Sequence, residues 1–256
     1  MTVPMSENRR ARLIEYVPWM ARDYVTNQGP ATGLVVLLIG IMTIVPAIRG
    51  LVGGQGGLGE IPPDIAANML RVMVTPLVFI GVLFATNGIV SNDRKLGYYR
   101  FFFSKPIAPP AYYAMTFLVN GIGLLLVSVA LMGFWYVTIR PMFPVELLGV
   151  VALMYIAYGG LGFLLSAAWR FDWLSLVTVL LLANVGWSVW GNEQGLKHWL
   201  LFLLPPVHRA ADVYGLVIRD SGHAFPWASI AWIGGYGMLC FVLGLLVIRK
   251  RPLGTS

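Results

Sequence analysis

The chain has 256 residues, of which 58% are hydrophobic and only 11% are charged, and its mean hydropathy is +0.75. That apolar share exceeds the range of ordinary soluble domains, so the composition excludes a soluble enzyme or binding module and indicates an integral membrane protein. The formal net charge of +7 suggests a nucleic-acid ligand at first sight, but the positions of the cations explain it better as a signal of membrane topology.

Six uninterrupted apolar runs are long enough to cross a bilayer, since a hydrocarbon layer of about 30 Å needs roughly 20 helical residues. Their approximate bounds are Ala31–Ile48, Ala67–Val90, Tyr112–Thr138, Val145–Ala168, Leu174–Gly191 and Trp227–Ile248. None of them alternates between apolar and polar residues as a membrane β-strand does. The sequence therefore predicts an all-α fold, with residues 1–256 forming one polytopic domain of six transmembrane helices.

An amphipathic segment, residues 1–30, precedes the first run. Leu13, Val17, Met20 and Tyr24 recur at spacings of 4, 3 and 4, which places them on one face of a helix. This helix is expected to lie flat on the membrane surface, either as a plain anchor or as a contact for a partner. Pro18 is expected to kink it or to divide it in two, because proline removes a backbone donor and clashes with the preceding turn.

The lysines and arginines predict the orientation of the chain. With the N-terminus inside, twelve of the 18 basic residues fall in the inner segments and six in the outer ones. Cytoplasmic loops carry the excess of basic residues in membrane proteins. Both termini are therefore expected in the cytoplasm, with the chain in the cytoplasmic (inner) membrane.

The loop between the second and third runs, residues 91–111, concentrates charge in a chain that has little of it. Five charged residues surround three consecutive phenylalanines in the stretch SNDRKLGYYRFFFSKPIAPPA. In a helix, Leu96, Tyr99 and Phe103 share one side, and the three prolines that follow end the helix. The pattern predicts a short amphipathic helix at the membrane surface, which either anchors in lipid headgroups or docks onto a partner.

This loop resembles the segment between the second and third helices of ABC-2 type transporter permeases. The residues that carry the resemblance are Asp93, Arg94, Gly97, Ser104, Lys105, Pro106, Ile107, Tyr112 and Tyr113. Asp93 stands where glutamate is usual, and Tyr98 stands where a small hydroxyl residue often follows the glycine. Six helices, cytoplasmic termini and the amphipathic N-terminal segment match as well, so the resemblance covers nearly the whole chain.

The resemblance implies that residues 91–111 contain a coupling helix, which docks into a groove on a separate ABC ATPase subunit. The residues that it assigns to docking are Asp93, Arg94, Lys95, Gly97, Arg100, Phe102 and Phe103. It also implies that the N-terminal helix contacts the ATPase, and that two copies of this chain assemble with two ATPase copies, which hold ATP and Mg. No glycine precedes any of the four lysines, so the sequence contains no P-loop of its own.

The outer region between the fifth and sixth runs, residues 192–226, contains the run HWLLFLLPP. Leu196–Leu204 spans only about 14 Å as a helix, which is too short to cross a membrane. A re-entrant or surface-lying pair of helices is expected, and the permease family has external re-entrant helices at this position. His198, His208 and His223 lack the spacing of a known metal motif, so no metal site is predicted.

The family places its transport route between two protomers, lined mainly by the second and fifth helices. On that basis Thr75, Phe79, Asn184 and Trp187 are the predicted wall residues. For Asn184, and for Asn120 in the third helix, an interhelical hydrogen bond is the alternative interpretation. Aromatic residues near the helix ends are expected in the two interfacial belts; these are Trp135, Tyr136, Trp169, Trp173, Trp187 and Trp190.

The predicted function is that of a permease subunit in an ATP-driven exporter, which moves an apolar or amphiphilic cargo by alternating access. The near absence of charge within the six runs favours such a cargo over protons or ions. No catalytic residue, cofactor or nucleic-acid partner is expected for this chain; membrane lipid is an expected partner. Two alternatives remain: a membrane scaffold or assembly subunit that transports nothing, and a membrane-embedded enzyme.

The orientation is testable with single cysteines in a Cys240→Ala background. Cysteines at Gly57 and Gly222 are expected to react with an impermeant thiol reagent in intact cells, because both positions lie in predicted outer segments. A cysteine at Lys95 is expected to react only after the cells are opened. Labelling of the Lys95 position in intact cells would overturn the assignment of inside and outside.

Overall fold

The computed structural model describes residues 14–52, 63–86, 89–90, 108–138, 145–168, 173–191, 195–218 and 226–250, and everything regular in these ranges is helical. The helices are α1 (Val17–Asp23), α2 (Gly29–Val52), α3 (Pro63–Thr86), α4 (Pro109–Thr138), α5 (Glu146–Met154), α6 (Gly160–Ala168), α7 (Trp173–Trp190), α8 (Leu196–Leu201), α9 (Val207–Ile218) and α10 (Trp227–Lys250). Two π-helical turns join neighbouring helices: π1 (Tyr24–Gln28) between α1 and α2, and π2 (Tyr155–Gly159) between α5 and α6. The predicted all-α fold is confirmed for the described residues.

Each of the six predicted runs coincides with a helix or with a pair joined by a π turn. Four stretches are long and apolar enough to cross a membrane, namely Val17–Met42, Pro109–Val137, Glu146–Ala168 and Trp227–Lys250. In α3 and α7 the apolar stretches are shorter, Val74–Thr86 and Leu174–Trp190. The described residues therefore identify a membrane protein with four candidate spans, whereas the sequence predicts six.

The described part of the N-terminal segment is continuous with the first long helix. α1, π1 and α2 follow one another with helical backbone angles at Tyr24 and at Gly29. The candidate span accordingly begins at Val17. Pro18 lies in the first turn of α1, where its missing N–H costs no intrahelical bond. A turn at Glu15 and Tyr16 precedes α1, which agrees with the expected break at this proline.

Contacts at glycines and at Asn120 show how neighbouring helices run relative to one another. α4 runs antiparallel to α3, since Gly81 lies against Leu124 while the Asn120 side chain reaches the Ala85 carbonyl. α10 runs parallel to α5 and α6, because Gly234 meets Leu153 and Gly244 meets Phe163. The bundle thus has two ends. We name the end that contains Arg249 and Lys250 the basic end, and the end that contains Trp190, Trp199 and Trp227 the tryptophan end.

The core is apolar and its aromatic content is high. Phe117 of α4 packs against Tyr155, Phe163 and Phe241, with ring centroids 4.7, 5.9 and 4.5 Å away. Trp135, predicted to lie in an interfacial belt, is instead only 1% exposed. It lines a small cavity of about 20 Å³ together with apolar residues of α2, α3, α4 and α5. That prediction was wrong because a position near a helix end does not reveal which face the helix turns toward its neighbours.

The two short helices α8 and α9 lie in the region predicted to be re-entrant, and both pack at the tryptophan end. Ala210 and Val213 of α9 are buried in the main core. Leu201 of α8 is buried against Gly186 of α7. The turn after α8 is held by the Tyr236 hydroxyl of α10, which donates a hydrogen bond to the Leu203 carbonyl at 3.0 Å. Both short helices therefore pack against the bundle at this end.

Gly237 is expected to be intolerant of a side chain. An added Cβ at Gly237 would overlap the Ile156 carbonyl oxygen and the Ala157 Cα of π2, whereas one at Gly235 would meet nothing within 4 Å. Gly237→Ala should therefore lower stability by about 1–3 kcal/mol, the usual cost of overpacking. Gly235→Ala, the matched control, should be neutral or slightly stabilising. Thermal unfolding of both variants in one detergent measures the difference, and equal midpoints would contradict the close approach.

Candidate functional site

The residues predicted to dock an ATPase lie outside the described part of the chain. They are Asp93, Arg94, Lys95, Gly97, Arg100, Phe102 and Phe103. What the structure describes is the two ends of their loop. On one side Ile89 and Val90, just after α3, are buried in the main core. On the other side the loop leads into α4 at Pro109.

The start of α4 is fixed by aromatic contacts. Tyr112 and Tyr113, the tyrosine pair that completes the loop pattern, are both buried. Their rings lie 5.3 Å apart in an edge-to-face arrangement, and Tyr112 makes a second edge contact with Tyr16 at 6.5 Å. One turn further on, the Thr116 hydroxyl lies 3.7 Å from the Met20 sulfur of α1. Both ends of the loop are therefore attached to the core, and the residues after its second end contact the N-terminal segment.

The four predicted wall residues are divided between α3 and α7. Thr75 and Phe79 are one turn apart on α3, and both are exposed, Phe79 by 36%. On α7, Asn184 is exposed, whereas Trp187 is half-buried. Thr75, Phe79 and Asn184 thus lie on exposed faces of their helices. The interhelical bond considered for Asn184 is not among the hydrogen bonds of the described residues.

Trp187 has a different environment from the other three. Its ring stacks on His208 of α9 with a centroid distance of 3.8 Å, and it makes an edge contact with Phe202 at 6.0 Å. Trp187 therefore joins α7 to the short helices at the tryptophan end. It packs within the tryptophan end of the bundle and does not lie on an open helix face.

A group of polar side chains lies in the interior of the bundle, and sequence reasoning singled out only one of them, Asn120. The Tyr155 hydroxyl, at the start of π2, donates to the Phe117 carbonyl of α4 at 2.5 Å. Asn120 of α4 donates to the Ala85 carbonyl of α3 at 2.7 Å, which confirms the interhelical bond predicted for it. The Tyr24 hydroxyl, at the start of π1, and the Gln28 Oε1 are buried without a hydrogen-bond partner among the described residues.

Both π turns place a tyrosine against a glycine of α4. Tyr155 covers Gly121, where an added Cβ would lie 2.6 Å from the ring, and Tyr24 covers Gly123 even more closely. Gly121 and Gly123 face nearly opposite sides of α4, because two residues correspond to about 200° of helical turn. The two tyrosines therefore clamp α4 from two sides. No residue pattern predicts a π turn, so the glycine pair in Asn120-Gly121-Ile122-Gly123 was the only available signal.

The chemistry of these side chains favours binding and positioning. Among the described residues no three or more histidines, cysteines, aspartates or glutamates come together in a group that could hold a metal ion. The buried polar side chains of the described core are uncharged: Thr32, Thr86, Asn120, Ser128, Ser166 and Ser229. Thr32, Thr86 and Ser128 donate to carbonyls one turn back along the chain, whereas Asn120 bonds to another helix.

Comparison of this chain with protein-family models, with curated proteins and with solved structures found no match.

The Tyr155 hydrogen bond is expected to contribute measurably to stability. Tyr155→Phe keeps the ring on Gly121 and removes only the donor to the Phe117 carbonyl, so the free energy of unfolding should fall by about 1 kcal/mol. Tyr136→Phe is the matched control, because Tyr136 is 48% exposed on the same helix that carries Phe117. Thermal unfolding in detergent compares the two variants. An equal loss in both would show that the hydrogen bond is not what the first variant measures.

Proposed function

We propose that this protein is the permease subunit of an ATP-driven exporter of the ABC-2 type. Two copies, each with six transmembrane helices and cytoplasmic termini, assemble in the cytoplasmic (inner) membrane with two copies of a separate ATPase. The ATPase binds ATP and Mg and hydrolyses the nucleotide. The permease moves an apolar or amphiphilic cargo between its two protomers.

The single observation that carries this proposal is the loop of residues 91–111. Seven positions of this loop, together with Tyr112 and Tyr113 in the first two turns of α4, resemble the coupling-helix segment. The structure adds a physical reason for that pair: Tyr112 and Tyr113 are buried and pack toward Tyr16. Since Val90 is also fully buried, both ends of the loop are attached to the core. We expect a loop attached in this way to pass a displacement on to α3 and α4.

The composition of the helices supports the proposed class of cargo. In the described residues every buried polar side chain is uncharged. Charged groups in the membrane interior usually mark proton and ion pathways. The exposed faces of α3 and α7 that carry Phe79 and Asn184 combine apolar surface with an occasional polar group. An amphiphilic molecule is the ligand that matches such a surface.

The proposed mechanism is a rigid-body movement. Closure of the ATPase dimer on ATP pulls the loop, and the loop moves α3 through Val90 and α4 through Tyr113. α4 is clamped by Tyr24 and Tyr155, so α1, α2, α5 and α6 move with it. Packed helices change between discrete arrangements more readily than they deform. The same movement separates or joins the exposed faces of α3 and α7 in the two protomers.

Charge reversal in the loop tests the proposal. Arg94→Glu combined with Lys95→Glu should leave membrane insertion intact and uncouple ATP hydrolysis from transport, because rim charges govern association. Phe103→Ala should weaken ATPase binding more than either single charge change, since buried aromatic anchors dominate interface affinity. Pull-down of the ATPase, in matched detergent and salt, measures both.

Three outcomes are distinguishable in this experiment. Full ATPase binding and full stimulation by both variants would refute the coupling-helix assignment. Binding that depends on the loop but never stimulates ATP hydrolysis would favour the alternative of a scaffold subunit. Altered dependence on anionic lipid with unchanged ATPase binding would show that the loop is a lipid anchor.

A further inference from the structure

Helix α8 and the turn that follows it have one buried face and one uncovered face. Leu201 is 2% exposed and packs against α7 at Gly186. On the opposite side Trp199, Leu200 and Leu203 are 71%, 54% and 75% exposed. Three large apolar side chains within five residues therefore extend from the bundle at its tryptophan end. We name them the α8 apolar face.

The α8 apolar face is held rigidly by its neighbours. Phe202, in the turn, lies between Trp199 and Trp232 of α10, with ring centroids 5.7 and 5.3 Å away. The hydrogen bond from the Tyr236 hydroxyl to the Leu203 carbonyl fixes the backbone of the same turn. The α8 apolar face is therefore exposed although the turn behind it is packed and hydrogen-bonded. A frayed helix end would lack these contacts.

Arg209 of α9 lies against Trp232, the ring that also packs on Phe202 of this turn. The Arg209 guanidinium lies 5.8 Å from the centroid of the Trp232 ring, in the first turn of α9. In the described part of the chain it has this ring contact and no ion pair. The nearby carboxylate of Asp212, one turn further along α9, accepts a hydrogen bond from Ser229 at 3.3 Å. An arginine stacked on an indole still presents its edge N–H groups, which match a phosphate well.

We propose that the α8 apolar face and Arg209 bind the headgroup layer of a phospholipid leaflet, with Trp199, Leu200 and Leu203 at the acyl boundary and Arg209 on a lipid phosphate. α7 and α10, on which α8 and its turn pack, also carry exposed apolar side chains, namely Leu181, Val185, Leu239 and Val242. Trp190 and Trp227, at the adjoining helix ends, are exposed by 40% and 71%. Tryptophan prefers this depth of the bilayer, and arginine extends its charge toward the headgroups.

The proposal separates the roles of the two short helices. α9 closes the bundle through Ala210 and Val213, which are buried, whereas α8 attaches that closure to the lipid surface. It requires α7 and α10 to cross a membrane, but it does not require the chain to transport anything. Its failure and the failure of the exporter proposal can therefore be told apart.

Depth-dependent fluorescence quenching tests whether the α8 apolar face lies in the lipid headgroup layer. Full-length Leu203→Cys and Leu181→Cys variants, in a Cys240→Ala background, are labelled with a fluorophore and reconstituted into vesicles of phosphatidylcholine and phosphatidylglycerol. The label at Leu203 should be quenched several-fold more by a nitroxide near the lipid headgroup than by one near the chain end. The label at Leu181, in the middle of α7, should show the reverse order.

The other outcomes of this experiment each exclude the proposal in a different way. Quenching of the Leu203 label mainly by aqueous iodide would show that the face lies in water. Protection of that label from every quencher, with Leu181 still quenched by lipid, would show that a second protein surface covers it. Absence of lipid quenching at both positions would refute the membrane crossing of α7, and with it the exporter proposal.

The role of Arg209 is tested by lipid-induced stabilisation in detergent. Phosphatidylglycerol should raise the Tm of the unmodified chain and of Arg209→Lys, while Arg209→Gln should require a lipid concentration at least about ten-fold higher for the same shift. Lys250→Gln, at the opposite end, is the matched control and should respond like the unmodified chain. Equal responses of Arg209→Gln and the control would refute the phosphate contact. Equal stabilisation by soluble glycerol phosphate would identify a free-anion site instead of a lipid site.

Discussion

The position of π2 between α4 and α10 is the constraint on which the other helix positions depend. On one side its backbone touches Gly237, so closely that even a methyl group would overlap the Ile156 carbonyl oxygen. On the other side its first residue, Tyr155, covers Gly121 and donates a hydrogen bond to the Phe117 carbonyl. Lipid is as apolar as leucine, so helices in a membrane associate through such close packing and through hydrogen bonds. A shift of π2 in either direction would disrupt the close packing and break the hydrogen bond.

The same arrangement recurs at π1, and it explains why the N-terminal helix belongs to the bundle. Tyr24 covers Gly123 on the other side of α4, and Thr32, one turn after π1, faces Gly81 of α3. A π turn has one more residue than an α turn, so it rotates the positions that follow and directs a side chain away from the regular stripe. Here it brings each tyrosine onto a glycine. α4 is therefore held on two sides by residues that lie far from it in the sequence.

The sequence by itself determined that the chain is helical and where its long helices lie. It offered an interhelical hydrogen bond for both Asn120 and Asn184, and in the described residues only Asn120 makes one. These follow from one physical rule: in hydrocarbon the backbone must satisfy its own hydrogen bonds, so an apolar run becomes a helix and a polar group within it seeks a partner. Only the tertiary structure decided that Trp135 is buried, that Asn184 is exposed, that residues 17–28 continue into α2, and that two π turns clamp α4. Helices that are apolar on all sides carry no periodicity to show which face meets a neighbour and which meets lipid. The packing of tyrosines against glycines determines which faces of the helices meet. These contacts join residues far apart in the chain, so the local sequence does not reveal them.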